Sequence, residues 1–172
     1  MSIQSLKKHV FCICLCAFAG LHGQRTTTVS GISFTYTITG TNLECTLTAP
    51  THGWVGVGFN EKNSIVGSDL LLFHVVDGKT ASTDMYVKGF GNPVRDSRLG
   101  GRNSIHILEG KEKNHSTTIH FSVPLNSGDP NDFIHEVGKE FWLILAYSVE
   151  DDFGHHSRVR KHIPFTLQGD DR

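Results

Sequence analysis

From residue 29 onward the apolar residues recur with a period of two, the spacing of β-strands that bury one face. ISFTYTIT (32–39) alternates apolar side chains with serine or threonine, and NLECTLTA (42–49) repeats the pattern after the turn Gly40-Thr41. The two segments therefore predict a hairpin. Seven further segments have strand character and are separated by Gly, Asn, Asp and Pro turns: 53–60, 68–77, 82–90, 103–110, 116–125, 140–149 and 158–167. Nine short strands without a helical repeat predict an all-β fold, an antiparallel sandwich or barrel.

The first 23 residues have the pattern of a secretory signal peptide. Lys7 and Lys8 precede an apolar run from residue 10 to residue 21, which is shorter than the roughly 20 residues needed to span a bilayer. Cleavage after Gly23 leaves a single domain, 24–172, with its core at about 30–167 and no transmembrane segment. Lipoprotein processing at Cys16 is disfavoured because Leu15 stands where a small residue is needed. We therefore expect a secreted protein, extracellular or periplasmic.

The mature chain carries no sign of nucleic-acid binding or of hydrolysis. It has 14 basic and 17 acidic residues and no basic stripe. No G-x-S-x-G elbow occurs, so we expect no catalytic activity of its own. The single remaining cysteine, Cys45, lies on the apolar face of its strand, which predicts an inert buried thiol.

The segment GWVGVGF (53–59) has glycines two apart in a strand. Gly56 and Gly58 leave one strand face as bare backbone, so another group must lie close over it. A neighbouring strand, a large aromatic ring or a flat cofactor would each satisfy this requirement, and Trp54, Gly56 and Gly58 are candidates for lining a ligand pocket.

Four segments resemble the DOMON domain in order and spacing: 53–79, 82–93, 121–133 and 141–158. The family pattern G-W-x-G-x-G-F followed by G-[SA]-D is matched by 53–59 and by Gly67-Ser68-Asp69. The resemblance implies an antiparallel β-sandwich, immunoglobulin-like in its general architecture.

In haem-binding DOMON members, a Met before the G-[SA]-D and a His after the penultimate long strand hold haem b. Here Ile65 stands at the Met position, and His155 or His156 at the His position. Successive side chains of an extended segment point to opposite sides, so at most one of the two histidines enters the pocket. A five-coordinate haem, or a second imidazole from His52 or His74, would replace the missing Met.

The resemblance leads to two functional hypotheses. The first is a ligand-binding or interaction module whose pocket lies between loops 60–69 and 150–158 and takes a sugar-like or apolar small ligand or an extracellular protein. The second is a haem b electron-transfer domain of the cytochrome type, with His155 or His156 as axial ligand.

Two metal sites are also conceivable from the residues. Asp151, Asp152 and His162 lie near the histidine pair in sequence, and imidazole with carboxylate suits zinc, copper or iron. Separately, Asp69 with the loop carbonyls of Asn60, Glu61 and Asn63 would suit calcium. Alternatively, Asp69 and Ser68 close the turn through hydrogen bonds to the backbone.

Overall fold

The structure, a computed structural model, describes residues 23–169. The predicted signal peptide, apart from residue 23, lies outside this range. The described chain contains one 3₁₀ turn, Asp96–Arg98, and eleven strands: β1 Arg25–Val29, β2 Ile32–Thr39, β3 Asn42–Ala49, β4 Val55–Asn60, β5 Asp69–Val76, β6 Lys79–Gly89, β7 Asn92–Arg95, β8 His106–Lys113, β9 Ser116–Pro124, β10 Glu140–Tyr147 and β11 Val159–Thr166. No helix in the described range is long and apolar enough to cross a membrane.

The strands form two antiparallel sheets, which confirms the predicted β-sandwich. One sheet has the order β1-β2-β3-β9-β8 and the other β11-β10-β4-β5-β6-β7. The predicted hairpin is β2 with β3, in which Phe34 pairs with Leu47. β10 lies between β11 and β4, and most of its side chains are buried, as its continuous apolar sequence predicts.

The core lies between the sheets and is built from the alternating residues. Phe34, Phe73, Phe121 and Leu143 are fully buried there, and the Phe73 and Phe121 rings lie 4.5 Å apart. Cys45 is 1% exposed, which confirms the predicted buried thiol, and its burial raises the pKa well above the usual value. Full burial of such side chains stabilises the fold by about 1.5–3 kcal/mol each.

Two of the eleven strands were absent from the prediction. β1, RTTTV, pairs only with β2, and β7, NPVR, pairs only with β6, so both are edge strands. An edge strand needs no strict apolar alternation because less of its surface is buried, and Pro93 is tolerated where one side of the strand lacks a partner.

The register of β4 with β10 determines where the loops 60–69 and 150–158 leave the sheet. Tyr147 pairs with Val55 and Trp142 pairs with Asn60. The segment that follows β4 and the segment that follows β10 therefore leave the pair from opposite ends. We call these the aspartate end, where β5 begins at Asp69, and the histidine end, where β4 begins after residues 51–54.

Candidate functional site

The outer face of the six-stranded sheet over Gly56 is filled by side chains of the protein itself. A Cβ built on Gly56 would lie 2.5 Å from Leu72 Cδ2 and 3.5 Å from Trp54. Trp54, Leu72 and Ala146 form a small buried cluster against which Phe153 packs. Of the three groups expected over these glycines, an aromatic ring, together with a leucine, lies over Gly56, whereas Ile144 and Leu70 of the neighbouring strands approach Gly58.

The predicted histidine pair lies in an exposed loop at the histidine end. The His155 Nδ1 atom lies 3.2 Å from the Ser148 hydroxyl and 3.1 Å from the His156 carbonyl oxygen, and the Trp54 indole donates to the His155 carbonyl at 3.2 Å. His74 stacks on Phe153 at 4.5 Å beside a cavity of about 370 Å³. His155 is thus tied to its own loop.

The structure does not gather the carboxylates and imidazoles predicted around this loop into one site. His162 Nδ1 lies 3.1 Å from Asn63 Oδ1, and Asp152 accepts from the backbone amide of Gly154 at 2.8 Å. Within residues 23–169, the groups of three or more side chains that could converge on one ion are both made of aspartates, and among the predicted metal ligands they include only Asp69.

Five aspartates from four separate segments meet at the aspartate end. Asp69 and Asp84 lie on the inner faces of β5 and β6, Asp96 begins the 3₁₀ turn after β7, and Asp129 and Asp132 come from the loop between β9 and β10. In each of two overlapping triads, 69/84/132 and 96/129/132, carboxylate oxygens lie within 4.8 Å of one another. We call these five residues the aspartate cluster.

Backbone amides and one hydroxyl satisfy part of the aspartate cluster. Asp69 accepts from Phe133 N at 3.0 Å, and Asp84 accepts from Ser104 N at 2.8 Å. The Ser104 hydroxyl donates to Asp132 at 2.6 Å. These bonds fix the carboxylates in position, so Asp69 does not close its own turn, although Ser68 does, through a 2.8 Å bond to Ile65 O.

The remaining oxygens of the cluster are buried without a donor. Asp69, Asp84 and Asp132 each have one such oxygen, and Asp96, which is 0% exposed, has two. In the part of the chain that the structure describes, no Lys, Arg or His forms an ion pair with any cluster member. Buried carboxylates in this state need a proton or a cation.

The pKa values follow from this environment. Burial, opposed by the Ser104 amide bond, raises the pKa of Asp84 to about 7. Burial and the charge of Asp84 raise the pKa of Asp96 to about 7, and the same two causes raise that of Asp69 well above its usual value. Asp129 is the exception, since the Asn131 amide bond holds its pKa below the usual value.

A cavity of about 470 Å³ opens beside the aspartate cluster. Asp69 and Asp132 belong to both the cluster and the cavity wall, and Asn60 fixes the loop above it by donating to the carbonyls of Ser64 and Val66 at 2.7 and 3.0 Å. The wall is largely polar or charged and includes Glu61, Lys62, Tyr86, Asn131, Glu136 and Lys139. The residues at this end can therefore hold a polar ligand next to a cation.

Residues 28–148 match the DOMON domain family, a span of more than half the chain. The chain belongs to the DOMON family. The mouse DBH-like monooxygenase protein 2 is 30% identical over 125 residues, which are 71% of this chain and 19% of that protein. This DOMON chain thus spans about a fifth of the length of that relative.

Two solved structures share the fold of this DOMON protein. The cytochrome b domain of pyranose dehydrogenase from Coprinopsis cinerea superimposes with a TM-score of 0.62 at 13% identity, covering 84% of this chain and 81% of that one. The cytochrome domain of Myriococcum thermophilum cellobiose dehydrogenase gives a TM-score of 0.58 at 10% identity, covering 84% and 82%. At these identities the likeness concerns the fold alone.

The residues of this chain, as they are arranged, do not fit a haem held between Ile65 and His155. Ile65 has no donor atom, His155 is hydrogen-bonded within its loop, and Trp54 and Leu72 fill the space over Gly56. Neither cavity described above is lined by both loops, because one takes its wall from residues 60–69 and the other from residues 151–154.

Asp84, Asp96, Asp129 and Asp132 were not predicted as site residues. They occur in STDMY, VRDSR and GDPNDF, segments that are far apart in sequence and have no ligand spacing. Only the sandwich topology brings them to Asp69. Asp96 directly follows β7, but an acidic residue after a strand is common in ordinary turns, and Asp84 lies within β6.

Proposed function

We propose that this protein is a secreted, non-catalytic binding module that holds a calcium ion in the aspartate cluster and a small polar, sugar-like ligand in the adjoining cavity. One observation carries the proposal. Asp96 is completely buried, and neither of its carboxylate oxygens has a hydrogen-bond donor. A buried carboxylate without partners destabilises the folded protein, whereas a cation at the same place would compensate the negative charges of Asp96 and its neighbours together.

Oxygen ligands and their spacing favour calcium over a transition metal. The cluster offers carboxylate oxygens and contains no imidazole or thiol. Calcium takes six to eight oxygens at 2.3–2.6 Å, so two oxygens on one ion lie at most about 5 Å apart. The 4.8 Å limit within each triad is compatible with that spacing.

The cavity supports a polar ligand rather than an apolar one. Its wall contains acids, lysines and amides, and Asp69 and Asp132 belong both to this wall and to the aspartate cluster. A cation bound there would hold the loop that contains Asp132 against β5. Ligand affinity should then depend on calcium, because the ion orders one wall of the cavity.

The first test is a thermal melt of the mature protein at pH 7.5 with EGTA or with excess calcium. At 100 times the dissociation constant a ligand stabilises by about 2.7 kcal/mol, so we expect calcium to raise the Tm by about 5–10 °C. Asp96→Asn should lose most of this rise. Asp77→Asn is the matched control, because Asp77 lies in an exposed turn at φ 50°, which asparagine tolerates.

An equal calcium response in Asp96→Asn and in the wild-type protein would contradict the cation site. The ligand is tested separately on a glycan array probed with and without calcium. We expect saturable binding that EGTA removes. Calcium binding without any glycan binding would retain the ion and reject the sugar-like ligand.

Secretion and the haem alternative are tested together. The sequon Asn114-His115-Ser116 lies in the exposed turn between β8 and β9, where a glycan meets no obstruction. A five-coordinate haem on His155 or His156 is the alternative that the family suggests. After expression in a glycosylating secretory host supplied with haem, we expect protein in the medium, a glycan that Ser116→Ala abolishes, and no Soret band. A Soret band that His155→Ala removes would favour the cytochrome alternative.

A further inference from the structure

A second group of metal-ligating side chains lies at the histidine end, away from the aspartate cluster. His52 Nδ1 lies 3.4 Å from Glu112 Oε2, and His52 Nε2 lies 3.4 Å from His115 Nδ1. The two imidazole rings are 5.5 Å apart between centroids and nearly perpendicular, at 80°. Three residues from two loops and a strand thus form one chain of contacts.

Buried threonines hold both His52 and Glu112 in place. The Thr117 hydroxyl lies 2.9 Å from the Thr51 carbonyl oxygen and 3.0 Å from Glu112 Oε1, so it can donate to either acceptor. The Thr51 hydroxyl accepts from Gly53 N at 3.0 Å, so the backbone is fixed on both sides of His52. Thr117 is 0% exposed and Thr51 is 6% exposed. Buried threonines therefore position the Glu112 carboxylate and the backbone that carries His52.

His115 occupies a backbone conformation that a histidine rarely adopts. Asn114 and His115 form a two-residue turn between the paired residues Lys113 and Ser116, with φ values of 52° and 60°. Such a turn favours Asn followed by Gly, because both central residues need positive φ. Asparagine is found at the first position, but histidine replaces the expected glycine at a cost in strain.

The distance between the histidine nitrogens is closer to that expected for a shared metal than to the usual hydrogen-bond length. Hydrogen bonds from ring N–H groups are usually about 2.9–3.0 Å long, so 3.4 Å is long for a bond between His52 and His115. Two nitrogens that bind one tetrahedral zinc at about 2.0–2.1 Å lie about 3.3 Å apart. The observed separation is therefore close to that of two zinc ligands.

We propose that His52 Nε2 and His115 Nδ1 bind a zinc ion at the histidine end, with Glu112 as the positioning carboxylate. Glu112 Oε2 faces His52 Nδ1 at 3.4 Å, and a small approach on metal binding would let it accept the Nδ1–H. Nε2 is then the nitrogen left for the metal, the usual arrangement of a carboxylate behind a zinc-bound histidine. The other positions on the ion face solvent, since side chains of His52 and Glu112 are 55% and 23% exposed. Water or a further carboxylate completes the coordination.

The test is a zinc titration of the tag-free mature protein with calcium present in excess, followed by the imidazole ¹H–¹⁵N resonances. We expect one zinc per chain, with the largest shifts at His52 Nε2 and His115 Nδ1. His52→Gln should weaken zinc affinity at least tenfold. Glu112→Gln should weaken it about tenfold, because the loss of such a carboxylate costs about 10- to 100-fold.

His115→Gly separates a ligand from a merely structural residue. Glycine relieves the positive φ, so this variant should fold with a higher Tm than the wild-type protein without zinc and lose the zinc response. His156→Ala, in the exposed loop, is the matched control and should bind zinc as the wild-type protein does. Wild-type affinity in both His52→Gln and His115→Gly, or shifts confined to other histidines, would overturn the proposal. Asp96→Asn should keep the zinc response, so that the calcium and zinc proposals fail independently.

Discussion

At the scale of single residues, the aspartate cluster contains buried acids that form no ion pair with a Lys, Arg or His within residues 23–169. Asp84 and Asp96 carry pKa values near 7 because they are buried beside other carboxylates. At neutral pH each is poised between losing a proton and binding a cation. Such perturbed groups concentrate at functional sites, and the spacing of the cluster oxygens is compatible with the calcium ion proposed above.

Protein free of calcium should become less stable as pH rises from 5 to 8. The folded-state pKa values of Asp84 and Asp96 lie above the unfolded value of 3.8, so the folded state holds protons that the unfolded state has lost. Each of the two groups should lower the free energy of unfolding by on the order of 2 kcal/mol between pH 5 and pH 8. Urea denaturation in EGTA measures it. Asp96→Asn should flatten the dependence, Asp77→Asn should not, and stability that rises with pH would contradict the account.

At the scale of elements, the backbone segment just before β4 lies very close to the segment after β10. A Cβ on Gly53 would lie 2.5 Å from both Glu150 N and Val149 C, which are backbone atoms that cannot move without displacing the segment after β10. Trp54 N donates to Glu150 O at 3.0 Å in the same place. Glycine is therefore required at position 53 because any side chain would clash with these backbone atoms. The φ of Gly53 does not lie in the left-handed region and would not itself require glycine.

Gly53→Ala should destabilise the protein by about 1–3 kcal/mol, the usual cost of inserting atoms into a packed site. The comparison is Gly89→Ala, since a Cβ on Gly89 meets nothing within 4 Å. Urea denaturation of both variants measures the difference. Equal stability of the two variants would show that residues 149–150 yield more easily than the structure implies.

The elements also show how far sequence reasoning reaches. Strands with one buried face, such as β2, β3 and β9, were predictable because their apolar and polar residues alternate in the same way as their buried and less buried positions. The edge strands β1 and β7 have no fully buried side chains, so their sequences show a weaker alternation of apolar and polar residues. The aspartate cluster was not predictable beyond Asp69, because its members become neighbours only through strand register and the folding of the loop between β9 and β10.

At the scale of the whole molecule, the sandwich separates two kinds of ligand chemistry. Carboxylates with a polar cavity lie at the aspartate end, and imidazoles with a carboxylate lie at the histidine end. β4 joins the two ends with a strand of six residues, roughly 17 Å long. Oxygen ligands select hard cations and imidazoles select zinc or copper, so each end should respond to a different ion.

The most direct test of the calcium site is proton release on binding. Calorimetric titration with calcium at pH 7, repeated in two buffers of different ionisation enthalpy, counts the protons displaced. Because Asp84 and Asp96 have pKa values of about 7 in the free protein and the pKa of Asp69 is also raised, we predict one calcium per chain and release of at least one proton at pH 7, with fewer protons released as the pH rises. Absence of saturable binding, or binding that releases no proton at pH 7, would contradict the account.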